Sequence, residues 1–340
     1  MSLDIIEFSK QIGVSTATVS RAFSGRGRIS EKTRKRVLEE AKNRGFAPNV
    51  HASRLNSKRT NQIGLYYGFS ADPIFDYYNM ELAQEIAKAA EQRGQAVNLE
   101  LGRSGANEND RLRQLSRGAG LDGVILVVDG RASGVRLLES IQGCPVAVVS
   151  NRPWAPVGKE IIIELDILSG MGDAVRDLVS KGHDRIGFIG GSGITDKLNR
   201  FRKVLVGNQL LVDPQLIVEG CVSFADGQKA FHRIASQRPS AILCATDVLA
   251  MGALNEARAM GMEVPADISV VGMDDLAFTA YTTPSLATVG IPRTQIAKTA
   301  VDSILSQLED EENRTPRAAA KHVIGSYYVP RASVGDMRRK

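Results

Sequence analysis

At the start of the chain, apolar residues recur at helical spacing: Ile5, Ile6, Phe8 and Ile12, then Val14, Val19 and Phe23, then Val37, Leu38 and Ala41. The pattern predicts three short helices around a small shared core. Asp4 and Glu7 are spaced as a capping box, Gly13 ends the first helix, Ser15 can open the second, and Ser30 before Glu31 opens the third. The tight Gly13, Val14, Ser15 turn gives a helix-turn-helix layout, in which the second helix enters a DNA major groove.

From Gln62 onward the pattern changes. β-rich runs (IGLYY, VNLEL, GVILVV, VAVVS, EIIIEL, RIGFIGG, LIVEG, AILCAT, ISVVGM) alternate with amphipathic stretches such as YNMELAQEIAKAAEQRG and GMGDAVRDLVSKG. Such alternation predicts βαβ units on parallel sheets, and roughly ten strands are more than one doubly wound sheet holds comfortably. Two sheets side by side, with a cleft between them, are expected.

Composition (43% hydrophobic, 24% charged) is that of a globular chain and excludes collagen, coiled coil and wholesale disorder. No apolar run approaches the roughly 18 residues of a membrane span, and the N-terminus lacks a signal-peptide layout, so a cytoplasmic protein with no membrane partner is expected. Cys144, Cys221 and Cys244 fit neither a disulfide framework nor a zinc spacing, and are expected to be buried thiols. Charge is the more informative quantity. Residues 1–60 hold 13 Lys+Arg against 5 Asp+Glu, a net of +8, leaving 30 against 33 and a net of −3 for residues 61–340. A basic module on a near-neutral body is what phosphate-backbone binding requires.

On the second helix Thr16, Ala17, Thr18, Ser20 and Arg21 are small or polar, with Ser15 beside them, whereas Val19 and Phe23 face the core. Short side chains let a helix sit close to base edges. Arg21 can fork onto guanine, Thr16 can bond either base of a pair, and the Ala17 methyl suits a thymine methyl.

These residues lie in GVSTATVSRAFSGRGRISEKTRKRVLEEAKNRGFAPNVHASRL, which closely resembles the headpiece of lactose-repressor-type (LacI/GalR) bacterial transcription regulators. The pattern is met at Gly13–Ser15, Thr18–Arg21, Ser30, Thr33, Arg34, Arg36, Val37, Phe46, Pro48, Asn49, Arg54 and Leu55. Arg26 and Arg28 depart from it and can add phosphate contacts. The resemblance implies that the following segment orders as a hinge helix on operator DNA, with Asn49, Ala52 and Leu55 contacting DNA and Leu55 wedged into the minor groove. On the residues alone, the same stretch is equally well a flexible linker.

KGHDRIGFIGG (181–191), CATDVLAMGAL (244–254), VPADISVVGMDD (264–275) and TPSLATVGIP (283–292) also stand in the family's order. Together they imply an α/β chain: a three-helix helix-turn-helix headpiece (1–46), a hinge helix and linker (47–61), and a two-lobed, periplasmic-binding-protein-like body of doubly wound parallel sheets (62–340). Lobe 1 is expected over 62–160 and 292–316, and lobe 2 over 161–290 and 317–330. Ligands bind outside the carboxyl ends of parallel strands. That rule selects Asp274, Asp247, Asn151 and Arg152, and after the first strand Phe75, Tyr77 and Tyr78. The resemblance adds Arg202 as a ligand donor, with Arg200 competing because Leu205 and Val206 replace the family's glycine and aromatic. Asp247 and Asp274 are also explicable as helix N-caps, and the aromatics and Trp154 as core.

No catalytic constellation appears. GGSGITD lacks the last glycine of a dinucleotide fingerprint and a P-loop lysine, and His51, His183, His232 and His322 show no metal spacing. No cofactor, metal or enzymatic activity is expected. The resemblance implies a homodimeric regulator, a repressor by family analogy, binding near-palindromic double-stranded operator DNA under control of a small effector. Carboxylates, a guanidinium and aromatic faces suit a sugar or sugar derivative; a nucleoside or purine is the alternative. A sugar-binding transport receptor is the rival from another class, and the basic helix-turn-helix counts against it.

Overall fold

The computed structural model describes residues 4–24, 29–46, 59–68, 77–101, 120–128, 131–191, 197–312 and 319–337. The chain divides into two compact units, Met1–Thr60 and Asn61–Lys340.

In the first unit, helices α1 (Ile5–Ile12), α2 (Thr16–Ser24) and α3 (Glu31–Arg44) form where the caps predict them. The Asp4 carboxylate accepts the N–H groups of Ile6 and Glu7 at 2.7 and 2.9 Å, Gly13 ends α1 at a left-handed φ of 67°, and Ser30 Oγ accepts Thr33 N–H at 3.1 Å. Phe8, Val19, Ala22 and Val37 are fully buried, with Ala41 and Phe46 beside them. Ile6 and Leu38, expected in this core, are 55% and 37% exposed. Successive helical positions turn by about 100°, so with Phe8 and Val37 directed inward, Ile6 lies about 200° from Phe8 and Leu38 about 100° from Val37, both off the inward face. Arg36 Nη2 donates to Ile12 O at 2.8 Å and Arg34 Nε to Ala22 O at 3.3 Å, so α3 satisfies carbonyls that the ends of α1 and α2 leave open.

The second unit is built on two six-stranded sheets among the described residues. The first comprises β1 (Gln62–Gly68), β2 (Ala96–Leu101), β3 (Gly123–Val128), β4 (Val146–Ser150), β5 (Ile161–Asp166) and β11 (Ala320–Gly325), in the order β11-β5-β4-β3-β1-β2 and wholly parallel. The second comprises β6 (Ile186–Ile189), β7 (Ile217–Val218), β8 (Ala241–Cys244), β9 (Ser269–Asp274), β10 (Ala287–Gly290) and β12 (Tyr327–Val329), in the order β12-β10-β9-β8-β6-β7, with β12 alone antiparallel. Helices α4 (Tyr77–Gln92), α5 (Arg131–Ser140) and α10 (Arg293–Glu312) cover the first sheet. Helices α6 (Ile167–Ser180), α7 (Lys197–Gly207), α8 (Phe224–Ala235) and α9 (Asp247–Ala259) cover the second.

Strand period explains the layering. On β3, Ile125 and Val127 enter a core with α4 and α10, while Val124, Leu126 and Val128 enter another with Leu137 and Trp154. Trp154 is therefore a core residue.

The expected lobe border needs correcting. Ile161–Asp166 and Ala320–Gly325 belong to the first sheet, because β5 pairs with β4 and β11 pairs with β5. The chain crosses to the second lobe after Asp166, returns between β10 and α10, and crosses again at Ser326. Cys221 and Cys244 are buried and Cys144 is half-buried, with no disulfide among the described residues. Among those residues no helix is long and apolar enough to cross a membrane.

Candidate DNA-reading face and ligand cleft

Helix α2 turns Val19 and Ala22 inward and presents Ser15, Thr16, Ala17, Ser20 and Arg21 outward, with Thr18 half-buried. Ser15 Oγ accepts Thr18 N–H at 3.1 Å and lies 2.9 Å from Thr18 Oγ1, so these two hydroxyls fix the start of the helix. The outward row of Thr16, Ala17, Ser20 and Arg21 is small except for one guanidinium. Among the described residues of this face nothing tall keeps it from a groove floor. Asn49, Ala52 and Leu55 lie outside the described residues, as do Arg26 and Arg28.

In the body, the carboxyl end of β9 carries Asp274, 6% exposed, with φ of 118°, followed by Asp275 at φ of 52°. Two consecutive non-glycine residues in left-handed backbone cost about 1–3 kcal/mol each unless the surroundings impose them. Arg293 donates through Nη1 to Asp274 O and through Nη2 to Asp275 O, the latter at 2.7 Å. The Asp275 carboxylate accepts Arg331 Nη2 at 2.7 Å and Tyr327 O–H at 3.2 Å. The Asp274 side chain instead faces the Lys197 ammonium at 3.7 Å. Neither aspartate opens a helix, since the short 3-10 turn Ala277–Tyr281 starts after Leu276.

Helix α7 supplies the cations. It buries Leu198, Phe201 and Leu205 in the second-lobe core, which leaves Lys197 and Arg200, three residues apart, on one buried flank. Lys197 Nζ donates to Ala245 O at 2.7 Å. Arg200 Nη2 donates to Asn151 O at 3.0 Å, and Nη1 lies 3.8 Å from Asp166 Oδ1, so Arg200 bridges the lobes. Arg202, the expected ligand donor, is exposed and among the described residues reaches Asn199 Oδ1 at 3.5 Å. Two residues along a helix is a turn of about 200°, which puts Arg202 on the opposite side from Arg200.

Asp247 is also corrected, both as ligand contact and as cap. It has no exposed surface, its Oδ1 accepts the Thr288 hydroxyl at 2.6 Å, and its Oδ2 accepts Leu276 N–H at 2.8 Å. Thr246, not Asp247, caps α9. A Cβ on Gly272 would collide with Asp247 Oδ1, so this glycine makes room for the carboxylate. Burial, then the charge of Asp274, pushes the Asp247 carboxyl well above the usual carboxylate range.

On the first-lobe side, Asn151 Oδ1 and Arg152 Nε are buried atoms without a hydrogen-bond partner among the described residues, as is Trp154 Nε1. Buried polar atoms in that condition mark a place where a ligand or water completes the site. Tyr77 is 46% exposed and meets Phe278 edge-on at 5.6 Å between centroids; Tyr78 lies beneath the Arg293 guanidinium at 5.8 Å. Phe75 is outside the described residues. The described residues thus bring Asp274, Lys197, Arg200 and Asn151 together, with Arg152 next to Asn151 in the chain.

Residues 5–49 match the profile of bacterial regulatory proteins of the lacI family, and residues 175–334 that of a periplasmic binding protein-like domain. The chain is 30% identical over 301 residues to the HTH-type transcriptional regulator DegA of Bacillus subtilis (strain 168), covering 86% of this chain and 87% of that protein. Identity to the HTH-type transcriptional repressor CytR of Escherichia coli (strain K12) is also 30%, over 307 residues, covering 88% and 87%. The chain belongs to the lacI family of bacterial regulatory proteins.

This lacI-family regulator shares its fold with the lac repressor dimer bound to operator and the anti-inducer ONPF (TM-score 0.79, 23% identity, 98% of this chain and 100% of that one). It is similar also to the transcriptional regulator CelR–cellobiose complex (TM-score 0.70, 23% identity, 97% and 99%). As a family member it is a DNA-binding regulator of transcription and not an enzyme. Sequence reading of the regulator passed over Lys197, Arg293, Asp275 and Arg331. For Lys197 a signal existed, an i, i+3 basic pair with Arg200 flanking the apolar Leu198 and Phe201; for the others there was no local one.

Proposed function

We propose that this regulator is a cytoplasmic repressor that grips a near-palindromic operator as a homodimer and is switched by a small polyhydroxylated ligand, a sugar or sugar derivative, held between its lobes. The observation that carries the DNA half is the outward row Thr16, Ala17, Ser20 and Arg21, braced by Val19 and Ala22 inside a segment of net charge +8. Arg21 reads a guanine, Ser15 and Thr18 bond backbone or base, and Asn49, Ala52 and Leu55 complete the contact at the operator centre. One such helix reads a half-site, so two chains are required.

The ligand half rests on Asp274, Asn151, Arg152, Arg200 and Lys197, whereas Arg202 faces solvent and Asp247 is fully buried. A carboxylate accepts two hydroxyls, an arginine donates in a fork, and Tyr77 or Tyr78 with Phe75 covers an apolar face. The half-exposed Tyr77 ring favours a nucleoside as the second reading, since it offers a stacking surface.

Enrichment of bound duplexes from a random pool by the full chain tests this, alongside a thermal-shift screen with sugars and nucleosides. A near-palindromic sequence whose enrichment changes with a stabilising compound is expected. No enriched sequence, or one lone half-site, would remove the dimeric-repressor reading.

A further inference from the structure

The turn that carries Asp274 belongs to the second lobe, yet the group that holds its left-handed backbone comes from the first. Arg293 is the first residue of α10, whose Ile296, Ala297, Ala300 and Ile304 pack in the first-lobe core with Ile63, Ile125 and Ile163. From there its guanidinium donates to the carbonyls of both Asp274 and Asp275. The same guanidinium pairs with Glu81 on α4, Nη2 to Oε2 at 2.9 Å, where the two side chains are 14% and 27% exposed. The other Glu81 oxygen, Oε1, accepts Ala277 N–H at 3.2 Å, three residues beyond Asp274. Tyr78, also on α4, lies under the guanidinium.

We propose that Arg293 and Glu81 form an inter-lobe latch, in which Arg293 is a positioning residue that sets the geometry of Asp274 and ties it to helix α4. The latch rests on the reading of Asp274 as a ligand group for its purpose, but not for its geometry. Glu81 and Arg293 act as one clamp: the carboxylate orients the guanidinium, the guanidinium holds two second-lobe carbonyls, and the carboxylate takes a second-lobe N–H. Rotation of the lobes about their three crossings must break these bonds together, because planar guanidinium forks are geometrically exacting. A ligand pulling on Asp274 therefore pulls on α4. Lysine at position 293 keeps the charge but cannot span two carbonyls and a carboxylate in one plane.

The test needs no ligand. Spin labels at Ala87→Cys on α4 and Ala259→Cys on α9, in a Cys144→Ser background of the full chain and diluted into excess unlabelled chain so that each dimer carries one labelled subunit, report the inter-lobe distance by pulsed electron resonance. Wild type should give one narrow distribution; Arg293→Gln, Arg293→Lys and Glu81→Gln should each broaden or shift it, and the Glu81→Gln/Arg293→Gln double variant should go no further than Arg293→Gln. Amide exchange across Leu276–Thr279 should speed up in the same variants. An unchanged distribution overturns the latch, and with a lowered melting temperature it assigns Arg293 to stability alone. If the distances respond while Asp274→Ala leaves ligand affinity intact, the latch stands and the ligand role of Asp274 falls.

Discussion

Arg200 Nη2 donates to Asn151 O at 3.0 Å, so a helix of the second lobe is hydrogen-bonded to the strand end of the first. Among the described residues the Asn151 carboxamide oxygen is buried with no hydrogen-bond partner, and Arg200 is a buried arginine already bonded to the main chain of the same residue. Arg200→Gln should weaken binding of whichever compound the thermal-shift screen selects by about 10- to 100-fold, the scale of a charge-assisted hydrogen bond. Arg202→Gln, on the opposite helix face, should bind as wild type in the same calorimetric titration. The reverse order would restore the assignment to Arg202.

Asp247 and Asp274 should separate in mutation. Asp247→Ala removes the acceptor for a buried N–H and a buried hydroxyl, at about 1–3 kcal/mol for each stranded donor, so its main effect should be on the melting temperature of the body. Asp274→Ala should abolish the ligand-dependent thermal shift with a smaller loss of stability. Equal ligand affinity in wild type and Asp274→Ala would leave the cleft without its carboxylate.

The stacked rings of Phe8 and Phe46, 4.1 Å between centroids and 5° between planes, close the headpiece core, and Phe23 meets Phe46 edge-on at 5.9 Å. Phe→Ala in a core costs about 3–5 kcal/mol, which is comparable with the whole stability of so small a unit. Phe46→Ala should therefore abolish operator binding while the calorimetric transition of the body stays in place. A retained operator complex would mean that the core closes without Phe46.

Why the headpiece was legible and the cleft only partly so follows from the range of the forces involved. Asp4, Gly13, Ser15 and Ser30 act on backbone groups within a few residues, so their spacing carries the helix boundaries. The strand Ile161–Asp166 was equally readable as a strand, but its sheet is decided by β4 and β11, the latter over 150 positions away. Thr246 and Asp247 are both competent caps, and only the distant Leu276 N–H and Thr288 hydroxyl decide that Asp247 serves them instead. The family resemblance implies Arg202, although the stripe Leu198, Phe201, Leu205 carries the helix phase that favours Arg200. Arg293 and Glu81 leave no local trace, since each is ordinary on its own helix face.

His183 provides a pH prediction. It is buried with Nε2 3.1 Å from both Gly335 O and Ser269 Oγ, and burial, outweighing the Gly335 carbonyl, holds its imidazole below the ordinary value of 6.5. Above the unfolded-state value both states are neutral and the full stability is present. As pH falls from there toward the lower folded-state value, the unfolded chain takes up the proton first and stability is lost. The melting temperature of the body should fall between about pH 7 and pH 5, and the slope should be shallower in His183→Gln over the same range. Parallel slopes in the two proteins would show that other groups carry the dependence.

The last prediction concerns how DNA affinity divides between charge and reading. The +8 of residues 1–60 provides phosphate contacts that do not depend on sequence, whereas Arg21 is the charged member of the outward row on α2. If each headpiece neutralises about four phosphates, the logarithm of operator affinity should fall against the logarithm of salt with a slope on the order of −7 for a dimer. Arg21→Ala should relax the preference for one guanine in each half-site by about 1–3 kcal/mol while leaving most of that slope, because the remaining phosphate contacts still release their counterions. Fluorescence anisotropy on matched and single-substituted operators at several salt concentrations separates the two effects. A uniform loss across all sequences would make Arg21 a phosphate contact, and specificity would then have to come from Thr16, Ala17 and Ser20 with the shape of the duplex.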